Sequence, residues 1–193
     1  MPQIEIISPQ SRWPTEFAEI GARLRSSLGA LALVINHIGS TAVPGLDAKD
    51  VIDIQIGVAS LDPVAPLQAA IEAAGYRLRD DIWFDHVPAG DDPDPERWAK
   101  RMGGAPEGGR RTHIHIRVRG QANERYALLF RDYLRAAPQA AARYGLIKRE
   151  LAARHADDVD AYYAVKDPVC DLIMAAAEPW ALASGWMLPT SDA

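Results

Sequence analysis

Two short segments alternate so strictly that they dictate a sheet with one dry and one wet face. In VIDIQIGV, from Val51 to Val58, Ile52, Ile54, Ile56 and Val58 share one side while Asp53 and Gln55 share the other. In THIHIRVR, from Thr112 to Arg119, Ile114, Ile116 and Val118 oppose His113, His115, Arg117 and Arg119. Successive side chains of a strand point to opposite faces, and a pattern of period two does not suit a helix. Each segment therefore predicts an apolar face under helices and a second face that turns carboxylate, amide, imidazole and guanidinium groups toward a cleft.

The remaining pattern supplies the helices. Trp13, Phe17, Ile20, Leu24 and Leu28 recur at helical spacing from Pro14 to the stop at Gly29. Leu31 to Ile38 reads as a strand, and Pro63 to Ala74 as a short helix ended by Gly75. Tyr76 to Arg79 and Ile82 to Val87 read as strands about a turn at Asp80-Asp81, and Pro88 to Arg111 as an exposed loop with a helical turn near Trp98. Three helices follow, over Glu124 to Ala136, Gln139 to Arg154, and from beyond Asp158 to Ser184 with a kink or restart at Pro168. From Met187 the chain reads as a frayed tail. Strands first and helices last predict an α+β fold.

A chain of 193 residues is long enough for one domain with a sheet-containing core to about residue 120 and a helical part over 121–186. The net charge of −5 argues against a uniformly basic nucleic-acid surface, which leaves nucleic acid at most the role of an acceptor. One cysteine, Cys170, reads as a small core or boundary residue, and no internal disulfide is possible. The N-terminus has no basic-then-apolar leader, and no apolar run approaches the ~20 residues of a membrane span. The expectation is a soluble cytoplasmic protein.

Between the first two strands lies Gly39-Ser40-Thr41, followed by Lys49 and then Asp53. A glycine lets backbone approach a phosphate closely, and a neighbouring hydroxyl adds a donor beside main-chain N–H groups. The bland alternative is a tight turn whose hydroxyls cap a helix. Asp53 is read as a metal ligand, a general base or an ordinary ion-pair partner. Gln55 reads as a polar group lining the cleft. His113 and His115 suit metal binding, proton transfer or a plain hydrogen bond across the cleft wall, and zinc would need His37 or Asp53 to converge on them. His86, beside Asp85, reads as a strand-end pair.

A strand ending in Gly-Ser, then a strand bearing an acid, resembles the signature of the nucleotidyltransferase superfamily. More closely, HIGSTAVPGLDAKDVIDIQIGV resembles the signature of the GrpB family, also called UPF0157, and HIHIRV, ALLFRDYLRAAP, YGLIKREL and YYAVKDP follow in that family's order. The same domain is similar to the C-terminal extension of some bacterial dephospho-coenzyme A kinases. The resemblance implies a nucleotidyltransferase-like mixed sheet. The residues themselves are read as a site for a nucleotide or other phosphorylated ligand, with Asp53 and His115 as candidate catalytic groups and Mg²⁺ held at Asp53. Gly39, Ser40, Thr41, Lys49, Gln55, His113 and Arg117 would contact the ligand, and so would Arg131, Lys148 and Lys166 at positions matching the helical motifs. The chain departs from the superfamily at Gln55, where a second carboxylate is expected; an amide oxygen brings no charge to a hard cation. Zn²⁺ or another transition metal is the alternative that the histidines suggest. Tyr144 with Lys148, and Tyr162 with Lys166, lie one helical turn apart and could line a nucleotide pocket together. Three functions stay open: transfer of a nucleotidyl group to an acceptor, a catalytically reduced binding or accessory module, and a transition-metal hydrolase using His113 and His115.

Overall fold

The computed structural model describes residues 3–193. Helix α1 (Trp13–Leu28) is followed by strands β1 (Val34–Ile38) and β2 (Ile52–Val58), helix α2 (Val64–Ala73), and the short β3 (Arg77–Leu78). Then come a helical turn α3 (Pro95–Trp98), β4 (Lys100–Gly104), β5 (Thr112–Val118), and helices α4 (Ala122–Ala136), α5 (Pro138–Arg154) and α6 (Val159–Ser184). The strands form one mixed sheet in the order β1-β2-β5-β4-β3, with β2 and β5 parallel and the other neighbours antiparallel. This is an α+β architecture consistent with the nucleotidyltransferase-like arrangement.

The alternation in β2 and β5 decides which side holds the core. Ile52, Ile54, Ile56, Ile114 and Ile116 are fully buried against Phe17, Ile20 and Leu24 of α1 and Leu67 and Ile71 of α2. Each such side chain contributes about 2 kcal/mol of transfer free energy. Helix α1 follows its apolar stripe and stops at Gly29, whose φ of +50° suits a residue without Cβ. On the opposite face α4 supplies contacts to β2 and β1: the amide of Gln55 donates to Glu124 O at 3.3 Å, and Arg131 donates to His37 O at 2.9 Å. Two smaller apolar clusters join α4 to α5 and α6 through Leu134, Tyr144 and Cys170, and through Leu129, Met174 and Ala177.

Three sequence expectations differ from the structure, and one is narrowed. Pro88 to Arg111 contains β4 as well as the expected helical turn. Its Gly103 and Gly104 read as loop residues, yet a Cβ there would stand 2.8 Å from Arg77 O and 2.7 Å from Thr112 O, so the glycines mark close strand approach. Ile82 to Val87 is not a strand; it carries a single bridge, Phe84 to Ala99. Of the kink or restart expected at Pro168, the restart does not occur, since α6 is one helix through that residue. The end of the chain is not frayed: Asp192 N donates to Ile35 O at 2.9 Å, Ile35 N to Ser191 Oγ at 2.8 Å and His37 N to Asp192 Oδ2 at 2.9 Å. These residues satisfy the free edge of β1. No described helix is long and apolar enough to cross a membrane.

Candidate functional site

Between the polar face of the sheet and helices α4–α6 lies a cavity of about 440 Å³, within the usual range for small-molecule sites. The parallel register of β2 and β5 sets Asp53 opposite His113, with His115 two residues on along the same face. The turn after β1 closes that end. Gly39 has φ of +69°, and a Cβ there would fall on the Asp53 carboxylate, so only glycine brings this turn against β2. Thr41 Oγ1 donates to Val51 O at 3.1 Å and meets His37 Nε2 at 3.0 Å, which locks the turn. His37 itself lies on the other face, stacked on Phe17 with centroids 4.6 Å apart, and does not join His113 and His115. Burial depresses its pKa to about 4.

Asp53 Oδ1 stands 3.0 Å from His113 Nδ1; the aspartate side chain is 25% exposed and the imidazole 41%. Burial opposes ionisation of Asp53, but the hydrogen bond and charge of His113 outweigh it and hold its pKa below the ordinary carboxylate value. His115 is held neutral, its pKa lowered to about 3 by burial and by Arg117 and Lys100. Beside it runs a buried ion cluster. Asp85 accepts Arg117 Nε at 2.8 Å and Nη2 at 2.9 Å, Lys100 Nζ at 2.6 Å and Asn123 Nδ2 at 3.0 Å. Burial works against the Asp85 carboxylate, yet Arg117 and Lys100 keep it ionised far into acid.

The far wall is a set of lysines laid on tyrosine rings. Lys148 of α5 donates to Ser40 Oγ at 2.7 Å and Asp47 O at 2.5 Å, with its ammonium 4.5 Å from the Tyr144 centroid. Lys49 lies 4.3 Å from the Tyr162 ring and 4.7 Å from that of Tyr163, and Lys166 lies 5.2 Å from Tyr163. Among the described residues only Lys166 of these three pairs with a carboxylate, Asp167 at 3.2 Å. Burial, and then the nearby charge of Lys166, lowers Lys148 to a pKa of about 7 and Lys49 to about 8. Lys148 is only 3% exposed. A buried ammonium without a counterion is costly, and an anion in the cavity would relieve it.

The structure thus brings together Gly39, Ser40, Thr41, Lys49, Asp53, His113, His115, Arg117, Lys148 and Lys166 around one cavity. Two expected ligand contacts are corrected. Gln55 is fully buried beneath the site, its carbonyl oxygen accepting from Arg117 and its amide bonded to α4. Arg131 is buried behind β1, tied to His37 O and to Asp132 and Asp192. Arg117 reaches the cavity but spends its guanidinium on Asp85 and Gln55. Sequence reasoning missed Asp85 and Lys100, which lie in the irregular stretch and in the unrecognised β4. It paired Lys166 with Tyr162, whereas the ring beneath Lys166 is Tyr163. His86 bonds Asp171 at 2.9 Å across to α6 instead of closing a strand.

The donors do not suit Mg²⁺. With the Gln55 oxygen committed to Arg117, Asp53 is the one carboxylate beside two imidazoles, and Mg²⁺ prefers an all-oxygen octahedron.

A family model described as GrpB protein matches residues 3–176. A dephospho-CoA kinase of Mycolicibacterium paratuberculosis is 38% identical over 200 residues, covering 95% of the chain and 48% of the kinase. The chain therefore spans about half the length of that relative. A UPF0157 protein of Pseudomonas aeruginosa is 38% identical over 176 residues, covering 91% of the chain and 68% of that protein. The crystal structure of GrpB from Enterococcus faecalis superposes with a TM-score of 0.73 at 31% identity, over 91% of the chain and 99% of that structure. Matched along most of its length by family model, sequence relatives and solved fold alike, the chain belongs to the GrpB family.

Proposed function

We infer that the cavity binds a nucleotide or another phosphorylated small molecule, and that transfer of a nucleotidyl group to an acceptor is the activity the arrangement serves. The observation that carries this reading is the convergence of Lys49, Lys148 and Lys166 with Ser40, above tyrosine rings, in a space where two of the three ammonium groups lack a carboxylate partner among the described residues. Polyphosphate supplies the missing negative charge, and the Tyr144, Tyr162 and Tyr163 rings offer faces to a nucleobase. Asp53 and His113 form a carboxylate–imidazole pair able to accept a proton from an acceptor hydroxyl and to retain it as imidazolium.

The burial of Gln55 favours a second reading. Its carbonyl is unavailable to a metal, so the site has one acid fewer than a two-carboxylate transferase uses. A module that binds the ligand and assists a partner enzyme needs no second acid, and in the dephospho-CoA kinase relative the matched segment lies beside as much unmatched chain again.

Thermal unfolding with ATP, GTP, CTP, pyrophosphate and dephospho-coenzyme A tests binding, since a ligand of the native state raises Tm by mass action. Loss of the shift in Lys148→Met and Lys166→Met is expected. Release of pyrophosphate from a triphosphate separates transfer from binding alone. No shift with any of the five compounds would refute both readings.

A further inference from the structure

Beyond anion binding, we propose that Asp53, His113 and His115 form a three-ligand site for a divalent transition metal of the Zn²⁺ or Co²⁺ type, opening into the same cavity. Their ligand atoms all lie within 4.8 Å of one another, and Asp53 Oδ1 and His113 Nδ1 are already 3.0 Å apart. With bonds of about 2.1 Å, ligands at a right angle stand about 3.0 Å apart and those of a tetrahedron about 3.4 Å. The Asp53–His113 pair has the spacing such an ion requires, and the His115 nitrogen, within 4.8 Å of both, completes the set by moving closer. All three come from the rigid centre of the sheet: Asp53 and His113 are paired across β2 and β5, and His115 is the next residue on that face.

The chemistry of the surroundings selects the metal. A hard cation is held by charge, but here one carboxylate faces a neighbourhood in which Lys100 and Arg117 outnumber Asp85. A borderline ion bonds to imidazole lone pairs and tolerates that field better. Three protein ligands leave at least one position open. Because the three residues line the same cavity as the lysines, water or a phosphate oxygen held there would be available to fill it.

The test uses the untagged full chain, stripped with chelator, and metal alone. Co²⁺ titration is expected to give visible d–d absorption saturating at one equivalent and displaced by Zn²⁺, with no competition from millimolar Mg²⁺. Imidazole ¹⁵N NMR on the native chain should show two ring nitrogens shifting on addition of Zn²⁺. His113→Gln, a half-exposed position, and Asp53→Asn should each weaken Zn²⁺ binding by at least tenfold while circular dichroism stays native. Substoichiometric binding, competition by Mg²⁺, or affinity unchanged in both variants would overturn the proposal. Because no nucleotide enters the experiment, its outcome is separate from that of the nucleotide-binding test.

Discussion

Replacing Lys148 by Met should make the protein more stable and unable to hold an anion, and the structure gives the size of the effect. Burial and Lys166 lower the lysine from 10.5 to about 7. The folded pKa lies below the unfolded one, so between them the unfolded chain binds the extra proton and native stability rises with pH. At pH 7.5 the penalty is about 4 kcal/mol, the cost of stripping a proton from a group that titrates near 10.4 when unfolded. Methionine keeps the stem and removes the charge, but leaves Ser40 Oγ and Asp47 O without their donor, a loss of about 1–3 kcal/mol. The net gain is about 2 kcal/mol, which for a chain of this size is roughly 4–8 °C in Tm. Urea unfolding from pH 6.5 to 10 measures both signs: the wild type should gain stability relative to Lys148→Met as pH rises toward 10. In parallel, calorimetry with pyrophosphate should lose its signal in the variant. If Lys148→Met is instead destabilised by more than about 1 kcal/mol at pH 7.5, the Ser40 and Asp47 bonds outweigh the burial cost. The lysine is then a structural strut with no need of a ligand.

Two further outcomes follow from the same wall and the cluster facing it. At pH 8 the neutral fractions of Lys49 and Lys148 are about one half and nine tenths, so pyrophosphate binding that restores both charges should take up roughly one to one and a half protons, and almost none at pH 6. Titrations in buffers of different ionisation enthalpy count those protons, and heats independent of buffer at pH 8 would contradict the linkage. Asp85→Ala leaves Arg117 and Lys100 buried beside each other without their shared carboxylate and should cost about 3–5 kcal/mol in urea unfolding at pH 7. A loss below about 1 kcal/mol would mean that the two cations find water or another partner.

What the sequence made legible is what period and punctuation encode. The isoleucine faces of β2 and β5, the stripe of α1 and the three closing helices were readable because each buries an unbroken apolar pattern. Strand β4 was not, because Gly103 and Gly104 are there for close backbone approach, which leaves no side-chain signature. The tail was unreadable for a related reason: Ser191 and Asp192 act through hydrogen bonds to one strand edge, with no apolar period to announce them. At the site, the alternation correctly assigned Asp53, His113 and His115 to one face. Alternation says only which face a residue takes, and whether that face is covered is tertiary information. Gln55 shares the face of Asp53, but α4 roofs that part of the sheet, so the amide is sealed in with Arg117. Helical spacing grouped Tyr144 with Lys148, and it is the fold of α6 over Lys49 that brings Tyr162 and Tyr163 to the same place.

Gln55 links these observations. A carboxylate at this position would bind Arg117 in competition with Asp85. The amide accepts from Arg117 without adding charge, so Asp85 stays the carboxylate that Arg117 and Lys100 share. The same exchange deprives Asp53 of an acidic neighbour on β2, and the groups left beside it are the two histidines of β5. Gln55→Glu therefore perturbs both sides of the site at once. It should weaken folding because a charge replaces a fully buried amide, and it should not create a hard-cation site, because the new carboxylate would be bound by Arg117 and covered by α4. If Gln55→Glu instead folded with undiminished stability and bound Mg²⁺, the separation between the ion cluster and the cavity argued from Arg117 would be wrong.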